Sequence, residues 1–552
     1  MKLIECVPNF SEGRDPAKID AITAEIAATP GASLLDVDPG ADTNRTVVTF
    51  VGGPQAVEQA AFAAIRRAAE LIDMRNHHGE HPRMGATDVC PFVPIEGVTM
   101  EECAALARRL GERVGRELGI PVYLYEHAAV EGRRSLADVR SGEYEGLAER
   151  EDGPDYGPEL NPKAGATAIG AREFLIAYNV NLNTTDRRLA HQVAQAIREL
   201  GTPRRDEAGK LLKDENGKTI FTPGRFKECK AVGWYIDEYN RAQVSINLTN
   251  YKITSMHAVF EACREEAAAR GMRVTGSEIV GLIPRSALLE AADHYLRAQG
   301  KTTGVPEKAR IQAAVLSLGL DELAPFDPHE KVIEYRFAGP TAELQEMSLT
   351  DFSDELSTDS PAPGGGSVAA LCGAMAASLT SMVGALSHAR KGFEDKRDAM
   401  ERLGRESQLM KEWFLGAVDR DTRAFNAVMT AMRMPRKSEE DRIARDSAIE
   451  QANLEATIVP LEVLERTVEV LDLARAAAAE GNPNSVSDAG VAAACAVAAA
   501  KGASLNVRIN LPGLGEDGRR RLIDRHDAAL GRALALGDQV AATVDEVLAR
   551  SA

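Results

Sequence analysis

Cysteine is scarce in this sequence of 552 residues and follows no pattern. The seven cysteines are scattered along the chain, and none of them forms a CxxC pair. This excludes a disulfide framework and predicts reduced thiols in a cytoplasmic protein. Because Glu5 interrupts the apolar start of the chain, we expect no signal peptide.

Basic residues are fewer than acidic ones, 65 against 83, and the formal net charge is -18. This balance argues against non-specific binding to nucleic acid and favours solubility. Anionic substrates would therefore need a locally basic channel on an acidic surface.

Several chemistry-bearing motifs are absent. The sequence contains no HExxH motif and no GxxxxGK[ST] phosphate loop. Residues 513–518 fit GxGxxG, but two acids there would repel a pyrophosphate, so we interpret them as a loop or helix cap. The uncharged run Ser367–Ser387 covers 21 positions. Its small side chains predict a central helix of a bundle and not a membrane span.

The most distinctive stretch that is present covers residues 77–90, where three of the ten histidines lie within five residues. Gly79, Pro82 and Gly85 exclude a regular helix, so we predict a loop. Imidazoles beside a carboxylate and a guanidinium suit proton transfer at neutral pH. The alternatives are a metal site, which lacks a complete ligand set, and an ordinary solvated loop.

The string EHPRMGATDVCPF at 80–92 resembles the signature of the glutamate formimidoyltransferase family. The opening ECVPNFSEG at 5–13 and the strings at 36–38 and 43–47 match the same family. Further on, PAPGGGSVAA at 361–370 and VDRDTRAF at 418–425 resemble formimidoyltetrahydrofolate cyclodeaminase. The sequence is thus similar to the bifunctional formimidoyltransferase-cyclodeaminase family along its length.

Strand and helix patterns alternate up to about residue 336, and beyond that only helix patterns remain. Periodicity alone does not distinguish two α+β subdomains from a doubly wound sheet. The resemblance implies an α+β part made of two ferredoxin-like subdomains, with the substrates between them, followed by an all-α helical domain. We expect transferase subdomains at 1–178 and 179–336, a linker at 337–346 and a cyclodeaminase domain at 347–552.

The resemblance also implies a bifunctional enzyme. It would move the formimidoyl group of N-formimidoyl-L-glutamate to N5 of tetrahydrofolate, then cyclise the product to 5,10-methenyltetrahydrofolate and release ammonia. His81 is placed as the proton-transfer catalyst of the first reaction and Asp421 as the proton acceptor of the second. Asp38 is a candidate to hold the formimidoyl group, against the alternative of a turn residue. Arg45 and Arg83 are candidates to bind glutamate carboxylates, against ordinary ion pairs.

Three glycine-containing stretches are expected to contact folate. The second carries three cations within six residues, which would supply the basic channel unless they only form a solvated charge run. The third precedes a helix, where bare backbone can approach an anion or a flat ring, with an ordinary tight turn as the alternative. The expected folate-binding residues are Gly157, Pro158, Glu159, Leu160, Asn161, Pro162, Lys163, Ala164, Gly165, Gly224, Arg225, Phe226, Lys227, Glu228, Cys229, Lys230, Ala231, Val232, Gly233, Gly364, Gly365 and Gly366.

Two polar residues close to the cyclodeaminase motifs are expected to have ordinary structural roles. We expect Asp419 on a solvated helix face. We expect Ser487 to cap the alanine-rich helix that follows it, with a position lining the site as the alternative for Ser487 and Asp488.

The implied partners are N-formimidoyl-L-glutamate and tetrahydrofolate, the latter as a polyglutamylated co-substrate, with no metal, nucleic acid or membrane. The resemblance also implies a homo-oligomer, up to an octamer. Three alternatives stay open: a related transferase that uses N-formimidoylglycine, a folate-binding scaffold without transferase activity, and a non-folate metalloenzyme.

Overall fold

The computed structural model describes residues 2–41, 43–79, 82–129, 135–150, 152–338 and 344–551. Its contacts define two compact units, one of residues 1–288 with 318–339 and one of residues 289–317 with 340–552. The first unit combines sheets and helices, and the second is built from helices. The predicted order of a mixed part followed by a helical part is therefore confirmed.

The first half of the mixed unit is built on one seven-stranded sheet. Its strands are β1 (Leu3–Cys6), β2 (Asn9–Phe10), β3 (Ala32–Gly40), β4 (Arg45–Gly52), β5 (Thr87–Glu96), β6 (Val122–Glu126) and β7 (Thr167–Ala171). The helices here are α1 (Pro16–Ala27), α2 (Pro54–Leu71), α3 (Met100–Leu118) and α4 (Leu136–Val139). Strands β1 and β2 both pair antiparallel with β4 and β5, while β7 lies parallel to β5 and β6.

Alternation along these strands gives the sheet two different faces. Cys90 and Phe92 of β5 belong to the cluster that also contains apolar residues of α2 and α3. Val89, one position away, belongs to a smaller cluster with Tyr125 and Val139. Because successive side chains of a strand point to opposite faces, the sheet is buried on both sides.

A second sheet has four strands, all antiparallel, in the order β11-β12-β8-β13. The strands of this half are β8 (Ile176–Leu182), β9 (Thr202–Pro203), β10 (Phe221–Thr222), β11 (Cys229–Ile236), β12 (Arg241–Leu248) and β13 (Val274–Val280). Helix α5 (Arg187–Ile197) connects β8 towards β11, and α6 (Met256–Ala268) connects β12 to β13. The short β9 and β10 pair only with each other.

Helices follow from residue 285 onward. They are α7 (Arg285–Ala298), α8 (Glu307–Leu318), α9 (Pro328–Lys331), α10 (Ile333–Ala338), α11 (Leu349–Leu356), α12 (Gly365–His388), α13 (Arg397–Met432), α14 (Glu439–Glu480), α15 (Val486–Asn510) and α16 (Glu516–Ser551). In the predicted linker 337–346, residues 339–343 lie outside the described residues. Its first two residues, Phe337 and Ala338, belong to α10.

The segment 289–317 packs within the helical unit. The hydroxyls of Thr302 and Thr303 donate to the carboxylate of Glu401 on α13, and the backbone N–H of Thr303 donates to it at 3.1 Å. Gly304 and Gly404 pack so closely that a Cβ on Gly304 would lie 2.8 Å from Gly404. The connection between α7 and α8 is thereby held against α13.

Two helical stretches of the described chain, Gly365–His388 and Pro483–Gly513, are long and apolar enough to cross a membrane by length and composition. Both pack within the helical unit, where alanine, glycine and serine side chains of α12 and α15 are buried. Small side chains let the helix axes approach closely, as the sequence predicts. Neither helix is buried on all sides, since Met375 of α12 and Leu505 of α15 are exposed.

Candidate active sites

The histidine loop is the segment between residue 77 and the start of β5 at Thr87. His77, at its beginning, makes two side-chain hydrogen bonds. Glu80 and His81 lie outside the described residues. The Nε2–H of the buried His77 donates to the carbonyl of Asn44 at 2.9 Å, because a carbonyl can only accept. Its Nδ1 then accepts from Nε of Arg83 at 3.3 Å. Burial and the nearby charge of Arg83 lower the pKa of His77, so this ring is neutral and fully engaged.

The predicted loop at 77–90 ends earlier than expected, because residues 87–90 already belong to β5. Asp88, the second residue of β5, anchors the end of the loop, a role that the sequence did not reveal. It is fully buried, and its Oδ2 accepts from Arg45 at 2.5 Å and from Arg140 at 2.5 Å. Its Oδ1 accepts from the backbone N–H of Met84 at 2.9 Å. Two guanidinium groups and one N–H thus hold the loop exit in place.

The two candidate clamps, Arg45 and Arg83, differ in how firmly they are already paired. Arg45 is held by buried Asp88 and by Asn9, whose Oδ1 accepts at 2.6 and 2.9 Å. Arg83 pairs instead with Glu145 at 2.6 Å and with Glu143 at 3.1 Å, both solvent-accessible. A substrate carboxylate could replace the exposed partners of Arg83 more easily than the buried partner of Arg45.

Asp38 lies inside β3, two residues before its end, with an exposed side chain. It stands opposite Val47 of β4, which stands opposite Asn9 of β2. Directly opposed residues point to one face, so Asp38 shares a face with Asn9 across two strand spacings, about 10 Å. The strand register therefore places Asp38 on the same face of the sheet, and in the same cross-strand row, as Asn9, which accepts from Arg45.

The first expected folate stretch, 157–165, packs on the histidine loop. Gly165 forms a bridge with Gly85, and a Cβ on either residue would lie within 2.3 Å of backbone oxygen. The backbone N–H of Ala86 donates to Ala164 at 2.8 Å. Glycine is therefore needed at both positions, and the exposed tip of this stretch, including Leu160, lies beside the loop.

The second stretch, 224–233, leads into the edge strand β11. Its residues alternate, with Cys229, Ala231 and Gly233 buried and Lys230 exposed. A Cβ on Gly233 would lie 2.1 Å from backbone of α5, so only glycine fits there. Of its three cations, Arg225 is paired with Glu265, and Lys227 and Lys230 have exposed side chains.

The glycine loop and Asp421, which lie 54 or more positions apart, meet at the N-terminus of α12. A Cβ on Gly366 would lie 2.1 Å from Oδ1 of Asp421, so the carboxylate rests on bare backbone. The Ser367 hydroxyl, fully buried, lies 3.2 Å from Oδ2 of Asp421. Burial raises the pKa of Asp421, and the hydrogen bonds from Ser367 oppose this.

Asn506 of α15 faces the same glycines and was not found in the sequence. Its Nδ2 would lie 3.6 Å from a Cβ on Gly365 and donates to the carbonyl of Gly502. An isolated asparagine within an alanine-rich helix carries no spacing signal. Only the packing of α15 on α12 brings it to the site.

Two expectations near this site are wrong. Asp419 is 5% exposed and accepts from the backbone N–H of Leu344 at 2.7 Å, so it is a buried anchor and not a solvated residue. The N-cap of α15 is Ser485, two residues before the expected Ser487. A single turn at 483–485 precedes the helix and moves its start.

The described residues contain no group of three or more histidine, cysteine, aspartate or glutamate side chains that could hold a metal ion.

Sequence comparison matches the chain in three consecutive parts. The formiminotransferase domain, N-terminal subdomain, matches residues 3–172, the formiminotransferase domain matches 177–338, and formiminotransferase-cyclodeaminase matches 348–526. Each part contains one of the stretches described above.

Individual relatives cover the whole chain or one half of it. The formimidoyltransferase-cyclodeaminase of Sus scrofa is 45% identical over 94% of both chains. The glutamate formimidoyltransferase of Streptococcus pyogenes is 44% identical over 54% of this chain and 94% of its own. The methenyltetrahydrofolate cyclohydrolase of Methylorubrum extorquens is 35% identical over 36% of this chain and 95% of its own. The chain therefore belongs to the formimidoyltransferase-cyclodeaminase family.

Proposed function

We propose that this bifunctional enzyme transfers the formimidoyl group of N-formimidoyl-L-glutamate to N5 of tetrahydrofolate. It then cyclises 5-formimidoyltetrahydrofolate to 5,10-methenyltetrahydrofolate and releases ammonia. Relatives that match only one half support the division into two activities. The observation that carries the proposal is the meeting of Gly366 with Asp421, where a carboxylate of raised pKa lies beside bare backbone.

In the cyclisation, Asp421 takes the proton that N10 loses when it bonds to the formimidoyl carbon. A base with a raised pKa drives this transfer better than an ordinary carboxylate. Gly364, Gly365 and Gly366 leave room for the flat pterin at the start of α12. The formimidoyl nitrogen gains this proton and one more from solvent and leaves the carbon as ammonia, so the carbon is bonded to both N5 and N10 in the new ring.

In the transfer, His81 removes the proton from N5 and returns one to the departing glutamate nitrogen. Asp38 holds the formimidoyl group, and its place in the row of Asn9 supports that role. Arg83 and Arg45 orient the glutamate, Arg83 directly and Arg45 by fixing the loop through Asp88.

Folate lies along the stretches 157–165 and 224–233. The packing of Gly165 against Gly85 supports a position beside the histidine loop. The exposed Lys227 and Lys230 suit the polyglutamate tail, since each glutamate unit adds a carboxylate.

The finer architecture that we propose follows the family. The strand order β13-β8-β12-β11, with helices after β8 and β12, supports a ferredoxin-like subdomain at 179–336. A second such subdomain would occupy 1–178, with a linker at 337–346 and the cyclodeaminase domain at 347–552. The enzyme would act as a cytosolic homo-oligomer, up to an octamer, without nucleic acid, membrane or metal. Exposed apolar residues on α12 and α15, Met375 and Leu505 among them, support subunit contacts.

A second candidate activity concerns the helical half. Its similarity to a methenyltetrahydrofolate cyclohydrolase favours hydrolysis of 5,10-methenyltetrahydrofolate to 10-formyltetrahydrofolate at the same site. Asp421 would then take a proton from water instead of from N10, and the bond from the carbon to N5 would break.

The test is an assay that follows both reactions in wild type, His81→Ala and Asp421→Ala. His81→Ala should lose transfer but still deaminate supplied 5-formimidoyltetrahydrofolate. Asp421→Ala should accumulate that intermediate. Folded variants that each lose both activities would disprove this division of labour, and 10-formyltetrahydrofolate as the main wild-type product would favour the second candidate.

A further inference from the structure

A cavity of about 460 Å³ lies at the base of the histidine loop, and none of the roles above uses it. It is open to solvent and is lined by residues of three loops, at 11–18, around 44 and at 71–77. Four of its polar side chains are at least nine-tenths buried: Ser11, Glu12, Asn44 and His77. Its volume lies in the range of small-molecule sites.

The wall formed by residues 12–18 is rigidly built. The Oε1 of Glu12 accepts from the backbone N–H groups of Arg14 and Asp15, both at 3.0 Å, and its Oε2 accepts from Lys18 at 2.9 Å. Burial alone would raise the pKa of Glu12, but these hydrogen bonds outweigh burial and lower it. Glu12 is therefore ionised, and its charge is already matched by Lys18.

Arg14 is the cation of this wall whose positive charge is not used in an ion pair with a described residue. Its Nε donates to the carbonyl of Ala41 at 2.8 Å, and no carboxylate of the described residues lies within ion-pair distance of it. Arg45 and Arg83, by contrast, are both paired with acids. The charge of Arg14 also contributes, after burial and Arg83, to lowering the pKa of His77, which places it near the loop.

Arg14 is one of the residues that line the cavity, and the segment that carries it is held by its neighbours. Gly13 fits only as glycine, because a Cβ there would lie 2.3 Å from the carbonyl of Gly40. Its N–H donates to Oδ1 of Asn44 at 3.0 Å, and Nδ2 of Asn44 donates to the carbonyl of His78 at 3.0 Å. One asparagine thus ties the segment that carries Arg14 to the segment that precedes His81.

We propose that this cavity receives the amino-acid part of the formimidoyl donor and that Arg14 binds the side-chain carboxylate of its glutamate. This inference rests on the proposed transfer reaction and adds the residue that selects glutamate. The planar fork of arginine suits a carboxylate, and no carboxylate of the described residues lies within ion-pair distance of it. N-Formimidoylglycine lacks the second carboxylate, so it gains nothing from Arg14.

The experiment measures transfer to tetrahydrofolate from N-formimidoyl-L-glutamate and from N-formimidoylglycine, in wild type, Arg14→Ala and Arg14→Lys. Loss of a charge-assisted hydrogen bond predicts a rise of about 10- to 100-fold in KM for the glutamate donor with Arg14→Ala. The KM for tetrahydrofolate and the rate with the glycine donor should hardly change. Arg14→Lys should recover part of the preference.

Arg75→Ala is the matched control, because Arg75 lies beside the cavity but is already paired with Asp73 at 2.5 Å. It should keep the donor preference of wild type. An equal loss for both donors, or an unchanged preference in Arg14→Ala, would overturn the role of Arg14 while the transfer activity stands. A wild type that transfers from neither donor would instead overturn the proposed transfer reaction.

Discussion

At the scale of single residues, the motifs indicated which side chains take part but not what holds them. Arg83 and Asp88 lie in the recognised string, yet their partners Glu145 and Arg140 come from a segment without any motif. Those contacts depend on tertiary packing, which spacing along the chain does not encode. The presence of a loop at the histidines could therefore be predicted from the sequence, whereas the ion pairs that support it could not.

The pH profile of the deaminase tests the environment of Asp421. As the proposed base, Asp421 must be ionised, so activity should fall as pH drops through its pKa, which burial holds above the ordinary value of aspartate. Ser367→Ala removes a hydrogen bond that favours the charged form, so the acidic limb should move to higher pH. Ser378→Ala is the control, since its hydroxyl only donates to Ala374 within the same helix. Identical limbs in wild type and Ser367→Ala would contradict this account.

Glu5 in the centre of β1 predicts a pH effect on stability. Burial raises its pKa to about 7, Arg172 opposes this and Glu334 adds to it. The folded state then binds the proton more tightly than the unfolded state, so stability is fully present below pH 4.5 and is lost as pH rises towards 7. Glu5→Gln should abolish this loss, which amounts to about 3 kcal/mol, as urea unfolding at pH 5 and pH 8 would measure. A variant whose stability falls with pH as steeply as wild type would contradict the role of Glu5.

At the scale of elements, sequence patterns predicted the order of strands and helices well because apolar periodicity is local. The helix starts were less reliable: one extra turn at 483–485 moves the start of α15, and burial of Asp419 depends on the residues before α11. The need for glycine at Gly233 comes from the backbone of α5, which packs against it, and the sequence does not show that contact.

A methyl group at the start of α12 should separate the two activities. In Gly366→Ala the new Cβ would fall 2.1 Å from Asp421, so the carboxylate must move and deamination should drop by at least tenfold. Transfer should persist, because it uses residues of the other unit. Gly416→Ala on α13 is the control, since its Cβ meets nothing within 4 Å and alanine favours a helix. Equal deamination by the two variants would refute the contact as functional.

At the scale of the whole molecule, the contacts divide the chain differently from the family regions. The formiminotransferase domain extends over 177–338, yet 289–317 packs within the helical unit. Similarity follows descent along the chain, whereas packing follows which apolar faces meet, so sequence alone gives no sign of this assignment.

Glu401 tests whether that packing is energetically important. Glu401→Gln weakens the acceptor for Thr302 and Thr303, which should destabilise the helical unit by about 1–3 kcal/mol. Thermal unfolding and limited proteolysis near residue 303 would measure the effect. Glu412→Gln, which changes an exposed carboxylate that pairs with Lys411, should leave both unchanged. A Glu401→Gln protein that melts and is cleaved like wild type would show that the contact is incidental.

The packing of 289–317 in the helical unit also affects where the chain can be cut to express the helical part alone. A cut at the family boundary near 338 would strip the helical fragment of a covering that shields Gly404 and part of α13. Such a fragment should aggregate, or should need residues 289–317 added as a separate peptide. A fragment that begins at residue 289 would keep this surface covered.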